Sequence, residues 1–500
     1  MKRKLVFNTA SNIFTLFLKL AITFIMTPLL IKNMGNHDYG IWEMVGAVIG
    51  YMGILDMGIR PAVSRFASAF IAQKDEPALT RLYATAWYFL FAVGLLIAVS
   101  MAFWALFGAE TLAPKSEDDY QKYVWFLLII AMQMLITFPS YTAESYLEAY
   151  QEYYLKNNIT IINSIVGAII LFAYITPENA LVLLTLCNAI GVCSKYIFLV
   201  WLMQYRRPFL SFRWSYFSLR QLKELLRFSV KTLIQGIAGR IESATDSLVI
   251  GFAMGPASVP LYSIPVNLIG YVRMISWNFT HVFMPYFSAL NAVEEKQKIQ
   301  EVYLTGSKLT IAPTIILTVG ILLLGPAFLE IWIGKEIADS ARSFLWVMVG
   351  FIVLPLLNPM SSRYLTAIDK HGFLAKWQPP FAVLNLILSL LLIGPLGIFG
   401  VALGSLIPGL IFQPILLHVV CKHIGFSPWV YIRTAIVPWL FPALLMSITI
   451  YGLQQYFVID GYVVLISVAT VGSLIFCFFA WCFALDVAER NQLLGIIRRR

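Results

Sequence analysis

Apolar runs of about 20 residues, the length that crosses the hydrocarbon core of a bilayer, recur from one end of this 500-residue chain to the other. In lipid, only helices and closed barrels satisfy every backbone hydrogen-bonding group. Barrels alternate apolar and polar residues over short strands, whereas the runs here are continuous. The sequence therefore predicts an all-α, polytopic membrane protein. A charged fraction of 12% agrees, since soluble domains carry about 25%.

About fourteen transmembrane helices are expected. The first seven lie near 8–31, 39–60, 80–107, 121–141, 155–175, 180–204 and 225–251, and the second seven near 259–289, 302–325, 341–367, 373–394, 398–421, 430–452 and 461–485. The first run is too long for a cleavable signal peptide and leads directly into a second, so it reads as a span. With the N-terminus placed in the cytoplasm, cytoplasmic segments hold 27 of the 36 Lys and Arg residues, the opposite side 5 and the spans 4. This bias sets both termini inside. The net charge of +10 is thus a topology signal, and the scatter of the basic residues argues against nucleic-acid binding. The stretch carrying Arg206, Arg207, Arg213, Arg220, Lys223 and Arg227 is expected to meet anionic lipid headgroups. The five cysteines fall in or at the ends of spans and suggest no disulfide framework.

The chain repeats itself at an offset of 220. Met34-Gly35 matches Met254-Gly255, Ile49-Gly50-Tyr51 matches Ile269-Gly270-Tyr271, and Ser68-Ala69 matches Ser288-Ala289. Helices one and two then fall in register on helices seven and eight. Six spans precede the second copy, so the repeat is parallel, a known transporter plan in which the substrate cavity lies between the halves. The expected organisation is two pseudo-symmetric lobes: residues 1–220 with helices 1–6 and the basic loop, and residues 221–425 with helices 7–12. Residues 426–500 add helices 13 and 14 and a cytoplasmic tail.

Charged groups inside spans are costly and face a cavity or a partner. Helix one carries Asn8, Asn12, Thr15, Lys19 and Thr23 on one face, and helix seven carries Gln235, Glu242 and Asp246 on one face. Lys19 lands beside Arg240 under the repeat, Arg273 sits in helix eight, and Lys195 in helix six. Two readings stay open for Lys19, Arg240, Arg273 and Lys195. They line a water-filled cavity for an anionic ligand such as pyrophosphate, or they pair with carboxylates to join helices. Glu242 and Asp246 either hold those cations or bind Na⁺ or H⁺ as a coupling ion; no other cofactor is expected. Asn12, Thr15 and Gln235 are further cavity-face candidates. Asp56 and Arg60, four apart, are expected to form a helix-face pair. No metal-ligand spacing joins the five histidines. No Ser-His-Asp set or phosphate-cradling glycine loop is present, so no catalytic residues are assigned and an enzyme is not expected.

Several segments carry a family resemblance: Thr27-Pro28-Leu29-Leu30, Asp38-Tyr39-Gly40-Ile41-Trp42, Leu55-Asp56-Met57-Gly58-Ile59, Arg65-Phe66 and Ala367-Ile368-Asp369-Lys370-His371-Gly372. With them the chain resembles the polysaccharide flippases, or O-antigen translocases, of the multidrug/oligosaccharidyl-lipid/polysaccharide (MOP) exporter superfamily. The resemblance implies a transporter of a polyprenyl-pyrophosphate-linked glycan. It would move the glycan from the cytoplasmic to the outer leaflet of a bacterial inner membrane by alternating access through a cationic central cavity. Lys19 and Arg273 lie on the helices that carry cavity cations in related flippases. Implied partners are the lipid-linked glycan, anionic phospholipids and a polysaccharide polymerase or assembly proteins, with the transporter acting as a monomer. A multidrug or metabolite exporter of the same superfamily, with an acidic rather than cationic cavity, is the alternative. A membrane-embedded glycan-modifying enzyme is the alternative of another class.

Overall fold

The computed structural model describes residues 2–54, 58–112, 117–281, 283–370, 372–487 and 489–491. The first half runs through α1 (Lys2–Met52), α2 (Ile59–Gln73), α3 (Glu76–Phe107), α4 (Glu117–Ala149), α5 (Tyr153–Tyr174), α6 (Ala180–Arg206) and α7 (Leu219–Met254). The second runs through α8 (Val259–His281), α9 (Phe283–Ala292), α10 (Lys296–Trp332), α11 (Lys335–Leu356), α12 (Ser361–Ala367), α13 (Gly372–Ile424), α14 (Pro428–Tyr431), α15 (Leu440–Tyr456) and α16 (Tyr462–Phe479). Among the described residues, 10 helices are long and apolar enough to cross a membrane. Two of these, α1 and α13, pass through a non-helical glycine, Gly35 and Gly397, and so hold two crossings each. The more polar α7 and α8 complete the fourteen expected.

The chain divides into two compact units, residues 1–240 and 241–500, with the division inside α7. Their backbones repeat. Gly35 and Gly255 both adopt positive φ, 69° and 92°, at the turn between the first two helices of each unit. Only glycine takes such angles without strain. Two side-chain-bearing residues repeat the pattern at the same offset: Lys74 and Glu294, with φ of 57° and 54°. Each lies two residues before a long helix, α3 from Glu76 or α10 from Lys296. Gln151 and Asp369 form a third pair, with φ of 56° and 57°, at an offset two residues shorter. Pro139, inside α4, corresponds to Pro359, where the second copy breaks between α11 and α12. The chain path is thus repeated well beyond the few identical residues that betray it.

One helix organises each unit. In the first, α4 packs against α2, α3, α5 and α6; in the second, α11 packs against α8, α10 and α13. The apolar windows of these two spans are 61% and 56% buried, against no more than 28% for any other span. Outer helices present apolar side chains outward, such as Phe103 and Phe107 on α3 and Ile169 and Phe172 on α5, as lipid-facing surfaces do.

The basic stretch after α6 is pinned rather than loose. Tyr88 Oη donates to the Phe212 carbonyl at 2.7 Å and Thr80 Oγ1 to that of Phe209 at 3.1 Å. Arg206 and Arg207 pair with Glu152 at 3.4 and 3.1 Å. Arg213, Arg220, Lys223 and Arg227 remain exposed.

The two halves of α13 touch through small residues. A Cβ on Gly404 would sit 2.5 Å from Ser389 Oγ and 2.7 Å from its backbone nitrogen. Gly404→Ala is therefore expected to cost about 1–3 kcal/mol by overpacking. Gly167→Ala, with nothing within 4 Å of the new methyl, should change stability by no more than about 1 kcal/mol. Thermal unfolding of the two variants in detergent checks the contrast.

Candidate functional site

The N-terminal unit encloses a cavity of about 850 Å³. Its walls come from α1 (Ile49, Gly50, Gly53), α2 (Arg60, Ser64, Arg65, Ser68), α4 (Gln133, Thr137, Tyr141, Glu148), α6 (Val192, Tyr196) and α7 (Arg240). Three arginines face one carboxylate across it, so its field is positive.

The arginines are held differently. Arg60 donates to Glu144 Oε2 at 2.6 Å and lies 4.3 Å over the Tyr141 ring. Arg65 is exposed, with its guanidinium 4.6 Å over Phe228. Arg240 reaches the cavity beside Gly50, where an added Cβ would lie 3.3 Å from its Nη1. Its Nε is buried and has no hydrogen-bond partner among the described residues. A buried N–H in that state is a donor waiting for an acceptor.

Behind the cavity wall, Glu144 on α4 is the electrostatic centre. Its side chain is 2% exposed and accepts Arg60 from α2 at 2.6 Å and Lys195 from α6 at 2.7 Å, with Lys156 from α5 at 3.6 Å. Lys156 also pairs with Glu148 at 3.0 Å. Lys19 is exposed on α1, within electrostatic range of Lys195, Lys156 and Glu144. Lys19, Arg60, Lys156 and Lys195 outnumber Glu144 and Glu148 by two charges, before Arg65 and Arg240 are added.

The sequence-derived candidates separate into groups. Lys195 pairs with Glu144 at 2.7 Å, Lys19 stays exposed within electrostatic range of both, and Arg240 lines the cavity. Asn12 accepts from Asn157 Nδ2 at 2.6 Å, joining α1 to α5, and Thr15 donates to the Ser11 carbonyl of its own helix at 2.7 Å. The side chains of Asn8, Gln235 and Glu242 lie outside the described residues, as does Asp56. Arg60, expected to pair with Asp56, donates to Glu144 at 2.6 Å. In the C-terminal unit Arg273 is exposed on α8. Asp246 Oδ2 accepts from Tyr262 Oη at 2.5 Å and Ser405 Oγ at 3.0 Å. Asn385 Nδ2 donates to Ser405 at 2.8 Å. Around them Asn385 Oδ1 and Ser389 Oγ are buried without a hydrogen-bond partner among the described residues. A carboxylate, hydroxyls and an amide oxygen are hard donors of the kind small cations accept.

Glu144, Arg60, Arg65 and Lys156 were not singled out from sequence as cavity groups. The fourth span was expected to stop at 141, whereas α4 runs to Ala149 and carries Glu144 within its packed length. An acidic residue three positions past an apolar run was the available signal.

Comparison with known proteins now bears on this geometry. The family model described as polysaccharide biosynthesis protein matches residues 29–342. The chain belongs to that family. It is 22% identical over 519 residues to EpsK of Bacillus subtilis, described as an uncharacterized membrane protein, covering 99% of this chain and 98% of that one. It is 26% identical over 191 residues to Agl15 of Haloferax volcanii, described as a probable low-salt glycan biosynthesis flippase, over 38% of this chain and 40% of that one. Among solved structures, the lipid II flippase MurJ in an inward closed conformation superposes with a TM-score of 0.67 at 15% identity, over 95% of this chain and 98% of MurJ. An inward-facing multidrug resistance MATE transporter of the MOP superfamily gives 0.68 at 14% identity, over 83% and 96%. The family member therefore has the MOP transporter fold and is a multi-pass membrane protein.

Removing Glu144 leaves three cations facing one another. Glu144→Leu is expected to lower stability by about 3–5 kcal/mol, as loss of one partner of a buried ion pair does. Adding Lys195→Leu should recover part of that loss. Denaturant unfolding in detergent that finds the two changes additive would show that Glu144 and Lys195 are not coupled.

Proposed function

We propose that this protein flips a polyprenyl-pyrophosphate-linked oligosaccharide, the repeat unit of a cell-surface polysaccharide. It moves from the cytoplasmic to the outer leaflet of a bacterial inner membrane by alternating access, with both protein termini cytoplasmic. The observation that carries this reading is the positive cavity of the N-terminal unit. A pyrophosphate diester carries two negative charges in a compact group rich in acceptors. Guanidinium forks match such oxygens in pairs, and Arg240 at the cavity wall has an Nε without a hydrogen-bond partner among the described residues. The volume, about 850 Å³, lies within the 300–1,000 Å³ that pockets devote to a ligand of moderate size. It suits the pyrophosphate and its first sugars, while the prenyl chain stays in lipid. Membership of the polysaccharide biosynthesis family supports glycan cargo over drugs, and the sign of the cavity disfavours cationic ligands. The reading needs no catalytic group and describes a transporter acting as a monomer, supplying a polymerase or assembly proteins. The exposed basic residues after α6 would face anionic phospholipids.

Energy for transport, in this reading, comes from Na⁺ or H⁺ at Asp246. Asp246, Ser405, Asn385 and Ser389 would hold a Na⁺ through oxygen atoms, two of which are otherwise orphaned. Asp246→Asn should abolish the dependence of transport in vesicles on whichever gradient drives the wild type, without removing Tyr262 or Ser405.

Deleting the gene in its native host should accumulate a polyprenyl-pyrophosphate glycan, read by mass spectrometry of the lipid extract. The intact gene should clear it. An Arg65→Gln/Arg240→Gln variant at equal expression should clear it about tenfold more slowly or worse, the loss expected for charge-assisted hydrogen bonds. An unchanged lipid pool, together with altered resistance to toxic organic cations, would overturn the reading in favour of a drug exporter.

A further inference from the structure

The strap that leaves α6 is a built platform. Between Arg206 and Leu219 three side chains of α3 hold its backbone. Thr80 and Tyr88 donate to the carbonyls of Phe209 and Phe212, and the Ser218 N–H donates to Thr85 Oγ1 at 3.0 Å. Aromatic rings stiffen it further. Phe212 lies 5.0 Å from the Tyr83 ring, while Trp214 sits edge-on to Tyr88 at 4.7 Å and stacks on Phe217 at 4.8 Å. Trp214 is nevertheless 64% exposed. The first turns of α7 extend the same kind of surface, because Leu219, Lys223 and Leu226 share one helix face and all are exposed.

Residues 208–227 carry four cations, Arg213, Arg220, Lys223 and Arg227, and one carboxylate, Glu224, which lies 3.4 Å from Arg220. All four cations are exposed. Neither water nor hydrocarbon suits such a surface. Water leaves an indole and two leucines uncovered, and hydrocarbon excludes the cations. The boundary of a bilayer accepts both, with apolar groups towards the acyl chains and Lys and Arg among the headgroups. Trp201 and Tyr205, exposed and stacked 5.5 Å apart at the end of α6, are placed as interfacial aromatics are.

The C-terminal unit repeats the construction independently. Gln300 and Tyr303 on α10 correspond to Thr80 and Tyr83 at the offset of 220. Gln300 donates to the Ile424 carbonyl at 3.0 Å, and the Tyr303 ring lies 5.9 Å from Phe426. The strap they hold, which leaves α13, again presents a bare indole, Trp429 at 67% exposure, with Lys422 and Arg433 exposed nearby in the chain. A tryptophan left open on a clamped strap in both halves is a feature of the architecture and not an accident of one loop.

We propose that the strap after α6 and the first turns of α7 form a docking surface for an anionic phospholipid. Trp214, Leu219 and Leu226 enter the acyl–headgroup boundary. Arg213, Arg220, Lys223 and Arg227 take the headgroup phosphate, with an excess of positive charge that a zwitterionic lipid does not match. The inference rests on the orientation given above only for the leaflet that supplies the lipid, and it is independent of the cargo.

The test titrates delipidated full-length protein in detergent with dioleoyl phosphatidylglycerol, dioleoyl phosphatidylcholine or water-soluble glycerol phosphate, and counts bound lipid by native mass spectrometry. The wild type should bind the first phosphatidylglycerol about tenfold more tightly than phosphatidylcholine, a factor typical of one charge-assisted contact. Arg213→Gln/Arg220→Gln/Lys223→Gln should lose that preference, with thermal unfolding in phosphatidylcholine nanodiscs unchanged. Trp214→Ala should weaken both lipids alike. Lys335→Gln/Arg342→Gln, which removes exposed cations elsewhere, should keep the preference. Equal binding of the two lipids by the wild type overturns the proposal. So does a preference that survives the triple variant, which would leave the strap cations to an acidic protein partner. Glycerol phosphate competing as well as the intact lipid would make this a site for free phosphate and overturns it too, as does a loss of preference that only accompanies a lowered unfolding temperature. Because detergent offers no sidedness and the probes carry no glycan, none of these failures touches the flippase reading.

Discussion

A single carboxylate ties the N-terminal unit together. Glu144 stands on α4, the most buried helix of that unit, and draws cations from α2, α5 and α6 onto one point. Buried charge is costly, and a lone carboxylate at this depth would be strongly unfavourable. Its three partners offset that cost, and the balance works in both directions. Without Glu144, Arg60, Lys156 and Lys195 would repel one another inside a low-dielectric wall. Because the cations exceed the acids, the cluster neutralises itself only partly. The remainder appears as the positive field of the cavity on the other side of Arg60. Structural pairing and cavity lining, alternatives when only the sequence is considered, are here two faces of one arrangement.

The second unit solves its packing without that centre. Its equivalent region is built from neutral groups: Tyr303 hydrogen-bonds Asn358 at 3.1 Å, and Tyr431 donates to the Leu357 carbonyl at 2.8 Å. The rings of Phe287, Tyr303, Tyr364 and Tyr431 fill the space between α9, α10 and α12. The acid Asp246 of this unit accepts from the hydroxyls of Tyr262 and Ser405, and Ser405 in turn accepts from Asn385. Duplication thus preserved the path of the chain, recorded in paired left-handed residues, while the polar interiors diverged.

Much of the fold was legible in the sequence for a simple physical reason. A bilayer requires helical crossings and favours apolar ones, so the spans can be counted. The repeat could be seen through Gly35 and Gly255, because a turn that needs positive φ keeps its glycine. Less of the site was legible. Lys19, Lys195 and Arg240 stood out as charges within apolar runs. Glu144 did not, because it lies just past the apolar run expected as the fourth span, and Arg363 did not, because it lies near the end of the span expected over 341–367.

The sequence by itself determined that the chain is helical, crosses the membrane many times, repeats in two halves and carries cations within its apolar runs. These follow from local composition and from the constraint that lipid places on every backbone group. Only the tertiary structure decided which charges are neighbours. Glu144, Arg60 and Lys195 are separated by 51 and 84 residues in the chain, and helix packing, which no local pattern encodes, brings them within 2.7 Å of one another's partner atoms. It likewise left Arg240 beside Gly50 with its Nε, and Arg363 over Trp277 with its Nε and Nη2, without a hydrogen-bond partner among the described residues.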